Sequence, residues 1–337
     1  MLNNKSILVT GGTGSFGKVF IRLALENYNP KKIIVYSRDE MKQWNMNQDY
    51  SVLDPSNKIQ YVIGDVRDKD QLYRAMDDVD ILIHAAATKI VPTAEYNPYE
   101  CIKTNVLGAM NIIEASIDSN VKKIIALSTD KACNPINLYG ASKLASDKLF
   151  IAANLNTVNS KTSFSIVRYG NVIGSRGSVI PYFQKFQDNK LPITDIRMTR
   201  FMITIDQAVN MVWHAIEDSL GGEIYIHKIP SMKIVDIAQA INPLAKFDII
   251  GIRPGEKINE IMIGEEDSLN TYEYDWYYKI LPTINSWNED KKRIKNGKKA
   301  NNNFIYSSDK NNEWMSIKDL QDYISSDSYK KLKEMNI

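Results

Sequence analysis

The run Thr10-Gly11-Gly12-Thr13-Gly14-Ser15-Phe16-Gly17 constrains this chain more than any other stretch. It follows an apolar run, Ser6 to Thr10, and opens a segment with helical spacing, Phe16 to Asn27. Glycines at such a junction let the backbone turn tightly and approach a pyrophosphate. The helix that follows presents free N–H groups and the positive end of its dipole to an anion. The spacing reads as Gly11-x-x-Gly14-x-x-Gly17 or as Gly12-x-Gly14-x-x-Gly17. A glycine turn of structural use only is the alternative; its position at the first strand–helix junction favours a dinucleotide.

Short Ile- and Val-rich runs recur beyond it: Lys32 to Ser37, Ile59 to Ile63, Asp80 to Ala85, Lys123 to Ser128 and Phe164 to Val167. Each reads as a strand buried on both faces. Gln71 to Met76 and Ala109 to Ser116 carry helical spacing between them. The alternation predicts an α/β fold, a Rossmann-type doubly wound parallel sheet with a smaller C-terminal substrate-binding lobe. The boundaries fall at 1–171 for the dinucleotide domain, with its catalytic residues, and 172–284 for the lobe, some of whose segments could return to the sheet. A C-terminal extension covers 285–337. After Asn171 strand signals thin. Ile224 to Ile226 reads as one more strand, and Ser231 to Ala240 as a helix capped by Ser231. Six Lys or Arg stand between Lys291 and Lys299 in a polar stretch, which reads as a solvated loop or as an anion-binding patch.

Composition excludes several classes. With 42 Lys plus Arg against 40 Asp plus Glu, a formal charge of +2 argues against a dedicated nucleic-acid surface. Two cysteines and three histidines build neither a disulfide framework nor a metal site. The N-terminus lacks a signal peptide's apolar region, and no apolar run approaches the roughly 18 residues of a membrane span. A cytoplasmic protein without membrane contact is expected.

The second strand ends Tyr36-Ser37-Arg38-Asp39-Glu40, with Lys42 nearby. An acidic residue right at the strand end would hold the ribose hydroxyls of NAD. Ser37 and Arg38 come first here, which suits the extra phosphate of NADP. Asp65, after the third strand, reads either as a contact to adenine together with the next backbone N–H or as a helix cap.

Tyr139 and Lys143 stand four apart on one helical face, after a strand ending Leu127-Ser128-Thr129-Asp130-Lys131. Lys143 and a charged nicotinamide are expected to lower the Tyr139 pKa, letting it take a proton from a sugar hydroxyl. A simple oxidoreductase needs only the Ser or Thr, the Tyr and the Lys. Asp130 and Lys131 add an acid and a base at the strand end that faces the ligand crevice. Oxidation at C4 of a sugar acidifies C5–H. Lys131, given a lowered pKa, could then remove that proton while Asp130 protonates the hydroxyl leaving C6. Alternatively the two residues merely pair in a loop.

The runs TGGTGSFGK, YSRDE, GDVRD, AEYNPYECIKTN, STDKACNPINLYGASKL, RYGNVIGSRGSVIP, ITDIRMTRF and GIRPGEK resemble the inverting UDP-N-acetylglucosamine 4,6-dehydratases, extended short-chain dehydrogenases that open the pseudaminic acid pathway. The likeness covers nearly the whole chain. It implies Asp130, Lys131 and Tyr139 as the catalytic group, with Lys143 and Thr129 supporting Tyr139. Around NADP it implies Gly11, Thr13, Gly14, Ser15, Phe16, Gly17, Ser37, Arg38, Asp39, Lys42, Asp65, Val66, Ala85, Ala86 and Val172, with Lys89, Tyr139 and Lys143 reaching it. Lys89, Thr129, Asn171, Ser178, Thr194, Arg253 and Glu256 would meet the UDP-sugar, and a homo-oligomer, dimer or hexamer, is implied. For Arg253 and Glu256 alone a surface ion pair is the plain reading. The family usually carries histidine where Ile90 and Asn259 stand, so substrate preference is the property these departures touch. A UDP-hexose 4-epimerase or reductase would need Tyr139 and Lys143 but have no use for Asp130 and Lys131, and the intact Tyr139–Lys143 pair argues against a silent NADP-binding regulator.

Overall fold

The computed structural model describes residues 1–157, 161–186 and 190–335. Six parallel strands form its spine: β1 (Ser6–Thr10), β2 (Lys32–Ser37), β3 (Ile59–Ile63), β4 (Ile81–His84), β5 (Lys123–Thr129) and β6 (Ser163–Tyr169). They lie in the order 3-2-1-4-5-6, each pair in parallel register. The doubly wound expectation is met, with the strand runs within one or two residues of their predicted ends. All five residues of β1 are buried, as two-sided burial of an apolar run requires. Helices α1 (Ser15–Asn27), α2 (Glu40–Tyr50) and α3 (Lys69–Ala75) link the first strands, and Leu138–Ala153 links β5 to β6. The order reverses between β1 and β4, the switch point where such sheets bind ligands beyond the strands' carboxyl ends.

The second half of the chain is richer in short strands than its sequence suggests. Ile224–His227 adds to β6 in parallel, and Tyr277–Ile280, Thr271–Glu273 and Lys298–Lys299 follow antiparallel, completing a ten-stranded sheet among the described residues. Ser231 does not cap a helix. It begins a strand, Ser231–Lys233, paired with Thr199–Ile203, and the helix starts at Ile234 behind Lys233 without a side-chain cap. Strand pairing claims the Ser231 backbone N–H and C=O, which bond Glu313 and Met315. Among the described residues no helix is long and apolar enough to cross a membrane.

Candidate active site

One cleft of about 670 Å³ opens at the switch point and collects nearly every residue singled out by the sequence. At its floor lies the glycine turn. Gly11 has φ +66° and sits so close to the Ala85–Ala86 backbone that a Cβ would meet Ala85 C at 2.9 Å. A Cβ on Gly17 would meet Gly12 at 2.5 Å, so this glycine lets α1 press against the turn. The first turn of α1 carries no acidic residue, and its N-cap, Gly14, offers no side-chain hydrogen bond. The leading N–H groups are therefore directed to the cleft, as a pyrophosphate site requires. Thr13, Gly14, Ser15 and Phe16 line it there.

Ser37, Arg38, Asp39, Lys42, Asp65 and Val66 form one flank. Asp39 caps α2: its carboxylate accepts from Lys42 N at 3.0 Å and pairs with Lys42 Nζ at 2.8 Å. Asp65 is not a cap. That role belongs to Asp68, which accepts from Gln71 N. Asp65 instead pairs with Arg67 at 2.6 Å and with Arg38 at 3.8 Å. Burial pushes its carboxyl up, but the bonds from Arg67 and the charge of Arg38 outweigh this and hold it below the usual range.

Ala85, Ala86, Lys89 and Val172 line the middle of the cleft, as do Asn171, Ser178, Arg253 and Glu256. Asn171 Oδ1 and Ser178 Oγ are buried with no hydrogen-bond partner among the described residues, polar atoms suited to a ligand's hydroxyl or phosphate. Arg253 and Glu256 do form the ion pair, at 3.0 Å, yet both face the cleft. Their loop is anchored to the catalytic helix: Asn137 caps that helix by accepting from Gly140 N, and its Nδ2 donates to Gly255 O, each at 2.7 Å. Thr194 lies outside the cleft wall. It is buried and donates to Met198 Sδ at 3.1 Å, so packing under the neighbouring strand claims it. Ile90 is 55% exposed on the wall, whereas Asn259 accepts from Thr199 Oγ1 behind it. Of the two departures from the family pattern, Ile90 is the one on the cleft wall.

The chemistry concentrates at the end of β5. Thr129 Oγ1 donates to Asp130 Oδ1 at 2.9 Å, and Lys131 Nζ donates to the same oxygen at 3.1 Å. Tyr139 and Lys143 stand beside them on Leu138–Ala153. Gly140 makes this proximity possible, because a Cβ there would lie 2.2 Å from Lys131 O. Burial raises the Asp130 pKa against the pull of Lys131, the direction that favours an acid. The expectations for the other two groups need correction. Lys131 is not lowered: burial works that way, but Asp130 and Glu260 together hold the ammonium well above its ordinary value. Nor is Tyr139 lowered. Burial pushes the phenol up to about 12, while Lys131 and the Thr129 hydroxyl only moderate the rise. Lys143 is itself drawn down by burial, with Asp147 opposing. Asp147 accepts from Ser128 Oγ at 2.7 Å and pairs with Arg168 at 3.5 Å beneath the site.

Three side chains escape sequence reading. Glu260, 2% exposed, contacts Lys131 Nζ at 3.0 Å, and Arg200 Nε lies 3.8 Å from the same carboxylate oxygen. Asn105 rises from a π-turn, Lys103–Leu107, inserted in a helix; it bonds the Thr88 backbone at both N and O and Ser142 Oγ at 2.9 Å. It thus ties the loop after β4 to the catalytic helix. A π-turn beside a cleft is a signal visible only in the fold.

Comparison with known proteins agrees with this site. Residues 7–282 match the model of a family described as polysaccharide biosynthesis protein. The chain is 56% identical over 333 residues to the UDP-N-acetylglucosamine 4,6-dehydratase (inverting) of Campylobacter jejuni subsp. jejuni serotype O:23/36, covering 96% of this chain and 98% of that one. A UDP-glucose 4-epimerase of Rickettsia bellii is 42% identical over 289 residues, 83% of this chain and 84% of the relative. Among solved structures, Pen from Bacillus thuringiensis superposes with a TM-score of 0.86 at 34% identity, covering 96% of this chain and 98% of Pen. The chain belongs to the polysaccharide biosynthesis protein family, among its inverting UDP-N-acetylglucosamine 4,6-dehydratases.

Proposed function

We propose that this protein converts UDP-N-acetylglucosamine to the 4-keto-6-deoxy sugar with inversion at C5, using NADP and losing water. The observation that carries the reading is the acid–ammonium pair Asp130–Lys131 beside Tyr139, in the cleft that holds the phosphate turn. An epimerase or reductase needs only the Tyr139–Lys143 half of that arrangement. The name of the 56% identical relative supports the same substrate. Engagement of Asp39 as a helix cap, with Arg38 61% exposed on the flank, favours the 2′-phosphate of NADP over the bare ribose of NAD. The same reading makes it a cytoplasmic homo-oligomer whose partner is the UDP-sugar.

A nicotinamide held in this cleft would supply the acceptor for the C4 hydride and its return to C6. The chain's own groups manage protons and position. Tyr139 takes the O4 proton as its phenolate, a form that Lys131 and the Thr129 hydroxyl favour against burial. Asp130, its pKa raised by burial, gives its proton to the C6 oxygen as water departs. Lys131 handles the proton of C5. Asn171, Ser178, Lys89 and Arg253 hold the UDP-sugar, the Arg fork suiting diphosphate oxygens.

Proton NMR of the protein with UDP-N-acetylglucosamine in deuterated water tests the reading. The expected product carries deuterium at C5 in inverted configuration. An epimer of unchanged mass would overturn dehydration in favour of the epimerase class. The Lys131→Ala variant is expected to lose dehydration while still binding cofactor; full activity would remove Lys131 from the mechanism.

A further inference from the structure

The buried carboxylate behind Lys131 is not explained by binding or by packing. Glu260 stands immediately before the strand Ile261–Ile263, which packs against the turn carrying Asp130 and Lys131. It lines no part of the cleft, since Lys131 stands between it and any ligand. Its backbone is fixed: Glu260 N donates to Ser308 Oγ at 2.9 Å, and Ser308 N donates back to Glu260 O. One carboxylate oxygen takes Lys131. The other, Oε2, is buried and has no hydrogen-bond partner among the described residues. An unused lone pair in the interior is costly, so its retention beside a reacting group calls for a use.

We propose that Glu260 is the positioning residue that takes up the Lys131 proton, so that Lys131 meets the C5–H bond as a neutral amine. The proposal rests on the dehydratase reading above. Lys131 lies between two carboxyl groups, at 3.1 Å from Asp130 and 3.0 Å from Glu260. Only one can accept. Asp130 lines the cleft and must carry a proton to act as the acid at C6, a form burial favours, whereas Glu260 lies outside the cleft, and Lys131 and Arg200 overcome burial there to favour its carboxylate. Dehydration therefore starts from a neutral Asp130, a Lys131 ammonium and a Glu260 carboxylate.

The step balances. A proton passes from Lys131 Nζ to a Glu260 oxygen, leaving an amine and a carboxylic acid. In a dry site a neutral pair competes well with an ion pair, because neither member then bears the desolvation penalty of a charge. The amine lone pair takes the C5 proton, the C5–H electrons become the C5–C6 double bond, and the C6–O bond breaks. The Asp130 proton goes to that oxygen, which leaves as water. Lys131 ends as ammonium, Glu260 as acid and Asp130 as carboxylate; C5 is later protonated from solvent, and the proton left on Glu260 departs to solvent through Lys131, restoring the carboxylate. The proton taken from O4 restores Asp130 through the Thr129 hydroxyl, which touches its carboxylate at 2.9 Å. The other charges facing Glu260 are Arg200, on Thr199–Ile203, and Lys257, in the loop before it; both favour its ionised form at rest.

Glu260→Gln preserves shape and removes the acceptor. In the full-length protein with cofactor bound, turnover at neutral pH is expected to fall roughly a hundredfold or more, the usual size of a general-base contribution. It should then climb with rising pH, as solvent takes the Lys131 proton instead. Deuterium uptake at C5 should fall in step, while the absorbance change that reports oxidation at C4 on first mixing persists. KM and cofactor affinity should hold, while the melting temperature falls because the buried Lys131 loses one of its carboxylates. Glu260→Asp keeps an acceptor at longer reach and should recover part of the rate; if the Gln variant does not fold, slowed elimination with intact oxidation in the Asp variant reports the same role. Wild-type turnover in Glu260→Gln, or a uniform loss of oxidation and elimination with no recovery at high pH, would overturn the proposal. Absence of dehydration in the unmodified protein would instead overturn the functional reading.

Discussion

Arg38 and Asp39 show how a side chain's use is decided by its neighbours. Both follow β2 at the cleft, and from residue type alone Asp39 could hold a ribose. Lys42 settles the matter by drawing the carboxylate into the α2 cap. Arg38→Ala should therefore weaken NADP binding roughly ten- to a hundredfold, the worth of one hydrogen bond to a charged phosphate, and leave NAD binding nearly unchanged. Titration of both cofactors, followed by intrinsic fluorescence, measures this; equal losses would show that Arg38 does not discriminate. At this scale the sequence was legible where reacting groups are neighbours on the chain, as Thr129, Asp130 and Lys131 are, or one helical turn apart, as Tyr139 and Lys143 are. Glu260, Arg200 and Asn105 were not legible, because only folding brings them to Lys131, Glu260 and Ser142 respectively. Charge states were misjudged for the same reason. Lys131 gains its second carboxylate, and Tyr139 its dry surroundings, from distant segments.

Elements rich in apolar periodicity were legible because two-sided burial of β1 to β6 leaves an uninterrupted Ile and Val signature. Ser231–Lys233 was not, since three residues are too few to show a period and a serine before an apolar run resembles a cap. Elements in the second half are instead held by buried charge. Asp218, ending the helix Ile205–Asp218, accepts from Lys279 Nζ at 2.8 Å, from Tyr225 OH at 2.7 Å and from Lys295. Burial opposes its charge, but these bonds bring its pKa down to about 2. A depressed carboxyl contributes stability above its unfolded value near ~4 and loses it as pH falls towards ~2. The shift corresponds to about 2 kcal/mol, and the net worth of the pair is smaller because burial draws the Lys279 ammonium down. Asp218→Asn should thus destabilise the protein by less than about 2 kcal/mol at neutral pH, with the difference from wild type closing below pH ~4. Urea melts across that range test it; a difference independent of pH would mean the contribution is packing.

For the molecule as a whole, the basic stretch from Lys291 to Lys299 is part solvated face and part bolt. Lys291, Lys292, Lys298 and Lys299 are exposed, in keeping with the plain reading of a charge run. Arg293 is not. It is 6% exposed, stacks at 4.3 Å over Trp287, and bonds both Gly221 O and the carboxylate of Glu223, itself 1% exposed. Glu223 also accepts from Leu220 N, Gly221 N and Ser165 Oγ, gathering the turn before Ile224–His227 and the start of β6 on one carboxylate. The C-terminal segment therefore closes the far side of the same sheet whose switch point, several strands away, holds the cleft. Arg293→Ala would leave Glu223 buried without its cation, a loss of about 3–5 kcal/mol when one partner of a buried pair is removed. The urea midpoint should drop accordingly with an unchanged slope. Below the transition, turnover should match wild type, because no residue of this bolt touches the cleft. A normal midpoint would show that Arg293 is dispensable to the sheet. A fall in turnover without loss of stability would show that the two ends of the sheet are coupled.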